Sequence, residues 1–97
     1  MRVVHCVYIV RCRDGSFYTG YARDPRQRAA AHNAGRGAKY TAGRRPVELV
    51  WVARYRTITR ALRREYEIKQ LSRREKEQLV GESGRTARRT KVPQFEV

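Results

Sequence analysis

The first apolar run of the chain, residues 3–12 (VVHCVYIVRC), is β-branched and apolar at odd and even positions alike. A run with no polar face suits a strand central to a sheet. Arg13-Asp14-Gly15 interrupts it, and a second strand pattern follows. A two-residue Asp14-Gly15 turn would pair Tyr8 with Tyr21 and set Tyr8 and Tyr18 on opposite faces. A three-residue loop ending in Gly, a type I turn plus a bulge, instead pairs Cys12 with Ser16 and Tyr8 with Gly20. That register is the expectation. It puts Tyr18 opposite Val10, points both tyrosines to one face, and leaves Gly20 as open space across from the Tyr8 ring.

Asp24-Pro25-Arg26-Gln27 reads as a helix start: Asp24 caps, Pro25 takes the first helical position, and Gln27 can complete a capping box. The helix carries Arg28 and His32 one turn apart and stops near Gly35. Residues 35–46 (GRGAKYTAGRRP) are Gly-rich and basic, an exposed loop with room for one short turn. Pro46 introduces a third strand, VELVWVARY, with Val47, Leu49, Trp51 and Ala53 on one side. Thr57 opens a second helix through about Leu71, and the capping box Ser72-Arg73-Arg74-Glu75 starts a third that ends near Gly81. From Glu82 onward the pattern is polar, basic and aperiodic, so 82–97 reads as a flexible tail, with Val92 to Val97 able to dock as an extended segment. The expected architecture is a domain over 1–81, an α/β sandwich around a small, mainly antiparallel three-stranded sheet, in the order β-β-α-β-α-α.

Charge narrows the function. The 97 residues hold 23 Lys plus Arg against 9 acids, a formal net charge of +14, and 19 of the cations are Arg. Arg grips phosphate with two parallel N–H bonds. A polyanionic partner, nucleic acid first, is expected over a merely solvated cationic surface. No apolar run approaches the roughly 18 residues of a membrane span. The N-terminal stretch has one early charge and no small-residue cleavage site, so no signal peptide is expected. Cys6 and Cys12 lie six residues apart on one predicted strand, about 20 Å along it, too far for a disulfide or a metal-binding pair. A reducing cytosol is the expected address.

Glu65 is the most informative single residue. On a helix from Ile58 it falls within the stripe of Ile58, Ala61, Leu62 and Ile68. A carboxylate facing a core or a cleft floor needs a metal, a cation or hydrogen bonds. Lys69, one turn later, is the ordinary i,i+4 alternative. Taken singly, His32 reads as a surface residue, and Tyr8 and Tyr18 as packing aromatics. Tyr21, Tyr40, Tyr55 and Tyr66 show no pattern that raises them above packing. Chemistry requires that Tyr8, Tyr18, Arg28, His32 and Glu65 converge.

In this order the residues resemble the GIY-YIG nucleases. Cys6-Val7-Tyr8 matches the first motif and Tyr18-Thr19-Gly20 the second, and Arg28 and His32 resemble the helix Arg and its companion His. Glu65 in ALRREYEIKQLS resembles the metal-binding Glu. The similarity covers about residues 3–81 and is greatest to the small stand-alone bacterial YhbQ-like group, which in turn resembles the catalytic subunit of eukaryotic structure-selective endonucleases. Departures are Cys6 for the first motif Gly, Val7 and Thr19 for the motif Ile, and no Asn after Asn33.

The resemblance implies a phosphodiester hydrolase in which Glu65 holds one Mg²⁺ or Mn²⁺ and Tyr8 orients or deprotonates the attacking water. It gives Arg28 the stabilisation of the transition state, Tyr18 the positioning of water or phosphate, and His32 either hydrogen bonding or proton transfer. The ordinary tyrosine pKa near 10 makes adjacent cations necessary for the phenolate. Arg36, Lys39, Arg44, Arg45, Arg63, Arg64, Arg73 and Arg74 are the expected nucleic-acid contacts. Phosphate contacts position a substrate without reading its sequence, so branched or flapped DNA is the expected partner, with RNA left open. A non-catalytic nucleic-acid-binding module and a subunit needing a protein partner are the competing readings.

Overall fold

A computed structural model of the chain describes residues 4–89. The elements are β1 (His5–Arg11), β2 (Phe17–Ala22), α1 (Pro25–Asn33), α2 (Lys39–Ala42), β3 (Glu48–Tyr55), α3 (Ile58–Lys69) and α4 (Arg73–Arg89). The strands form one antiparallel sheet in the order β2-β1-β3. The central place of β1 accounts for its two apolar faces. The expected order holds, with the single turn α2 added inside the 35–46 loop.

The hairpin loop is the three-residue one. Cys12 N–H donates to Ser16 O at 2.8 Å and Gly15 N–H to Cys12 O at 2.9 Å. Gly15 takes φ +87°, a conformation that other residues reach only at a steric cost. Tyr8 therefore pairs with Gly20 and Val10 with Tyr18.

The sheet divides two cores. Val7, Ile9, Trp51, Ala53 and Tyr55 face α3 and α4, where Ala61, Ile68 and Val80 complete the packing. Cys6, Tyr8, Val10, Cys12, Val47 and Val52 face the other way, toward α1, with Leu49 and Tyr18 against them. Val47 and Leu49 thus lie opposite Trp51 and Ala53, not beside them as strict alternation predicts. The ladder shifts register between Ile9 and Val10, pairing Ile9 with Trp51 but Val10 with Leu49. The extra residue, Val50, reverses the alternation on either side of it.

Local signals set the helix ends. Asp24 caps α1 through Gln27 N–H at 3.2 Å. Its C-terminus closes as a Schellman motif: Arg36 N–H donates to Ala31 O, Gly35 N–H donates to His32 O, and Gly35 has φ +84°. Thr57 caps α3, and Ser72 and Glu75 form a reciprocal box at α4. The apolar stripe of α3 is narrower than its periodicity predicts. Ala61 and Ile68 are fully buried, while Ile58 and Leu62 are 46% and 44% exposed. Periodicity fixes relative bearings on a helix but not which bearing meets the sheet. Gly81 does not end α4, which runs on to Arg89. An interior Gly costs a helix only about 1 kcal/mol. Residues 90–97, with the Val92 to Val97 segment, lie outside the described residues.

Candidate active site

The site grows from the pairing of Tyr8 with Gly20. A Cβ at Gly20 would sit 2.5 Å from Tyr8 Oη, so the phenol ring lies directly across the edge strand β2. No side chain other than hydrogen leaves that path open. Tyr8 is 1% exposed, and its Oη is 2.9 Å from His32 Nε2. His32, in the last turn of α1, is as deeply buried as Tyr8. Its other nitrogen, Nδ1, lies 2.7 Å from Thr41 Oγ1 and accepts from Ala38 N–H at 3.3 Å. The Tyr18 ring meets the His32 ring edge-on at 5.3 Å and stacks on Tyr40 at 5.9 Å. Arg44 lies over Tyr40 at 4.0 Å.

Electrostatics bring two more residues to the same phenol. Burial pushes the Tyr8 pKa up to about 12, with the neighbouring Tyr18 adding to the rise. Arg28, one turn before His32, pulls it down by charge and by a hydrogen bond, and Glu65 pushes it up. Burial outweighs the cation. The expected help from adjacent cations is present but does not leave a phenolate at neutral pH. Burial, and then Arg28, lower the His32 pKa, so its imidazole is neutral.

Glu65 comes from the opposite layer. Its helix α3 packs against β1 and the edge strand β2, and the carboxylate's charge is felt at Tyr8 from that layer. Its side chain is 18% exposed and pairs with Lys69 at 3.2 Å, the i,i+4 alternative. Among the described residues, no group of three or more His, Cys, Asp or Glu side chains is gathered to hold a metal. A half-buried single carboxylate does fit an ion such as Mg²⁺, which keeps several waters and takes substrate oxygens for its remaining positions.

The expected nucleic-acid contacts fall into different places. Arg36 joins Arg23, Gln27 and Arg28 around a groove of about 700 Å³ beside α1. Lys39 and Arg74 are exposed. Arg63 and Arg64 instead line a cleft of about 630 Å³ with Trp51 and Tyr55, on the other face of the sheet. Arg64 is paired there with Glu67 at 3.2 Å. Arg44, Arg45 and Arg73 are tied into the fold. Arg44 bonds Asp14 and the Tyr40 carbonyl, Arg45 the carbonyls of Ala42 and Asn33, and Arg73 binds Glu77 and the Gly15 carbonyl.

Sequence reasoning missed Thr41, Gly37, Tyr40 and Arg23. Thr41 is fully buried, and a Cβ at Gly37 would collide with His32 Nδ1. The clustering of two Gly and a Thr just after a helix that carries a His was the available signal. No periodicity foreshadows the Tyr40 stack.

The model of the GIY-YIG catalytic domain matches residues 4–78. A UPF0213 protein of Staphylococcus epidermidis is 56% identical over 78 residues, covering 80% of this chain and 95% of the relative. The solution NMR structure of a UPF0213 protein from Bacillus halodurans is similar at TM-score 0.56 and 52% identity, over 84% of this chain and 86% of that one. A second solution structure, of a protein from E. faecalis, has TM-score 0.56 and 42% identity, over 80% and 83% of the two chains.

Proposed function

The chain belongs to the GIY-YIG catalytic-domain family, a family of nucleases, and on that premise we propose that it is a metal-dependent endonuclease acting on branched or flapped DNA. The carrying observation is that one buried phenol, Tyr8, is acted on at once by His32, Arg28 and Glu65.

In this reading Tyr8 takes the proton of the attacking water. Its raised pKa means that the resting phenol is protonated, so as substrate binds it must first release its own proton to solvent, with Arg28 favouring the phenolate. Arg28, exposed and directed at the same oxygen, faces the scissile phosphate and stabilises the added negative charge. Tyr18 is half-buried between His32 and Tyr40 and aligns the water or phosphate. Glu65 is the residue that would hold the divalent ion. When bound, that ion offsets charge on the phosphate and leaving oxygen, and cancels the carboxylate's upward push on Tyr8. Arg23, Arg36 and Lys39 hold the phosphate backbone without reading sequence. Arg63 and Arg64 line the cleft on the other face of the sheet, and Arg44, Arg45 and Arg73 are already engaged.

The test is nicking of branched, flapped and linear DNA, and of RNA of matching shape, with Mg²⁺ or Mn²⁺. The reading expects cleavage of the branched DNA that disappears in Tyr8→Phe, Arg28→Ala and Glu65→Ala while binding persists. Binding without cleavage under either metal would identify a nucleic-acid-holding module instead. Cleavage only on addition of a cell extract would mean that a partner completes the site.

A further inference from the structure

The contacts around His32 determine which of its nitrogens carries the proton. A backbone N–H can only donate, and that of Ala38 points at Nδ1 from 3.3 Å. A hydrogen on Nδ1 would meet it head-on, so Nδ1 must accept. The Thr41 hydroxyl has one proton and two acceptors in reach, Nδ1 at 2.7 Å and the Ala38 carbonyl at 2.9 Å. That carbonyl already accepts from the N–H groups of Thr41 and Ala42. The hydroxyl proton is therefore shared between that carbonyl and the shorter contact to Nδ1. With Nδ1 an acceptor, the imidazole's own hydrogen sits on Nε2, 2.9 Å from Tyr8 Oη.

We propose that Thr41 and the Ala38 amide lock His32 in its Nε2–H tautomer, so that His32 is a hydrogen-bond donor to the Tyr8 oxygen and Thr41 is a positioning residue. This rests on the reading of Tyr8 as the group that takes up the water's proton. His32 then acts not as a base for Tyr8 but as a support for the negative oxygen, alongside Arg28. The phenol first releases its own proton to solvent as substrate binds, the proton leaving the water then ends on Tyr8, and His32 keeps its own throughout. A neutral imidazole can donate in this way when its surroundings prevent protonation, and burial beside Arg28 provides that condition. The short α2 turn gains a purpose, since it carries Thr41 while Gly37 lets the chain pass against the imidazole face.

The decisive measurement is the ¹⁵N spectrum of His32 in the intact protein at neutral pH. It should show a bare Nδ1 and a protonated Nε2, and the opposite pattern would overturn the proposal. Thr41→Ser keeps the hydroxyl and should keep both the tautomer and the cleavage rate. Thr41→Val keeps the shape, and should mix the tautomers and lower cleavage on the order of tenfold to a hundredfold. A Thr41→Val protein with wild-type tautomer and rate would remove Thr41 from the role. If Thr41→Val fails to fold, the wild-type and Thr41→Ser spectra still decide. If the wild-type protein cleaves nothing, the endonuclease reading fails, while the spectra alone judge the tautomer.

Discussion

Tyr8 and Ile9 are chain neighbours, equally buried, and face opposite sides of one sheet. Ile9 enters a layer in which Val7, Trp51, Ala53, Ala61 and Ile68 meet it with carbon. Tyr8 enters a layer in which each polar atom along its path is paired: its oxygen with His32, and His32 in turn with Thr41 and Ala38. The first layer stabilises by removing apolar surface from water. The second accepts the cost of buried polar groups and offsets it with hydrogen bonds. Both layers bury apolar surface, but on the proposed function the chemistry lies on one side of the sheet. The charge of Glu65 acts across that division, raising the Tyr8 pKa from the α3 layer.

Substitutions on the two sides should fail in different ways. The largest effect belongs to Tyr8→Phe, which should cut DNA nicking by about 10²–10³ or more while thermal unfolding stays within a few degrees of wild type. Its mirror is Ile68→Ala, expected to lower folding stability by about 2–5 kcal/mol in denaturant titration, with catalysis normal in whatever remains folded. Equal loss of stability in both variants would remove the division. Gly20→Ala tests the boundary, because its methyl would enter the space of Tyr8 Oη and Cζ. It should cost about 1–3 kcal/mol and displace the phenol, giving reduced nicking with retained strand content by circular dichroism.

The smallest effect concerns pH. The His32 pKa is lowered from 6.5 in the fold, so the unfolded chain binds the proton first and stability should fall as pH drops below about 6.5. The Tyr8 pKa is raised from 10 to about 12, so the unfolded chain loses its proton first and stability should fall again as pH rises between those values. Unfolding midpoints measured across pH should show both shoulders. Tyr8→Phe should reduce the alkaline one, to which Tyr55 and Cys6, also raised by burial, still contribute, and leave the acid one in place.

Much of the hairpin was legible because its determinants are local. Gly15 selects a three-residue loop, the loop sets the register, and the register puts Tyr8 and Tyr18 on one face opposite Gly20. The caps Asp24, Thr57 and Ser72 and the Gly35 stop were equally readable, since each is settled within a few residues. The bulge at Val50 was not, because the sequence of β3 carries no sign of a register shift that arises in pairing with β1. Nor was the exposure of Ile58 and Leu62, which depends on how α3 is rolled against the sheet. The eight cations expected at a nucleic acid look alike in sequence. Their carbonyl, carboxylate and aromatic neighbours sort them, and those neighbours lie as far as 58 residues away.

By itself, then, the amino-acid order determined the order of the elements, the helix starts and the Gly35 stop, the shared face of the two tyrosines and the basic charge that calls for a polyanion. These follow from backbone geometry and side-chain spacing, which act over a few residues. Tertiary structure alone decided that Tyr8 would be buried to a pKa of about 12, that the charge of Glu65 would act on it from the other layer, and that Thr41 would meet His32. Each of these depends on desolvation and on contacts between distant segments, which exist only once the layers have closed on one another.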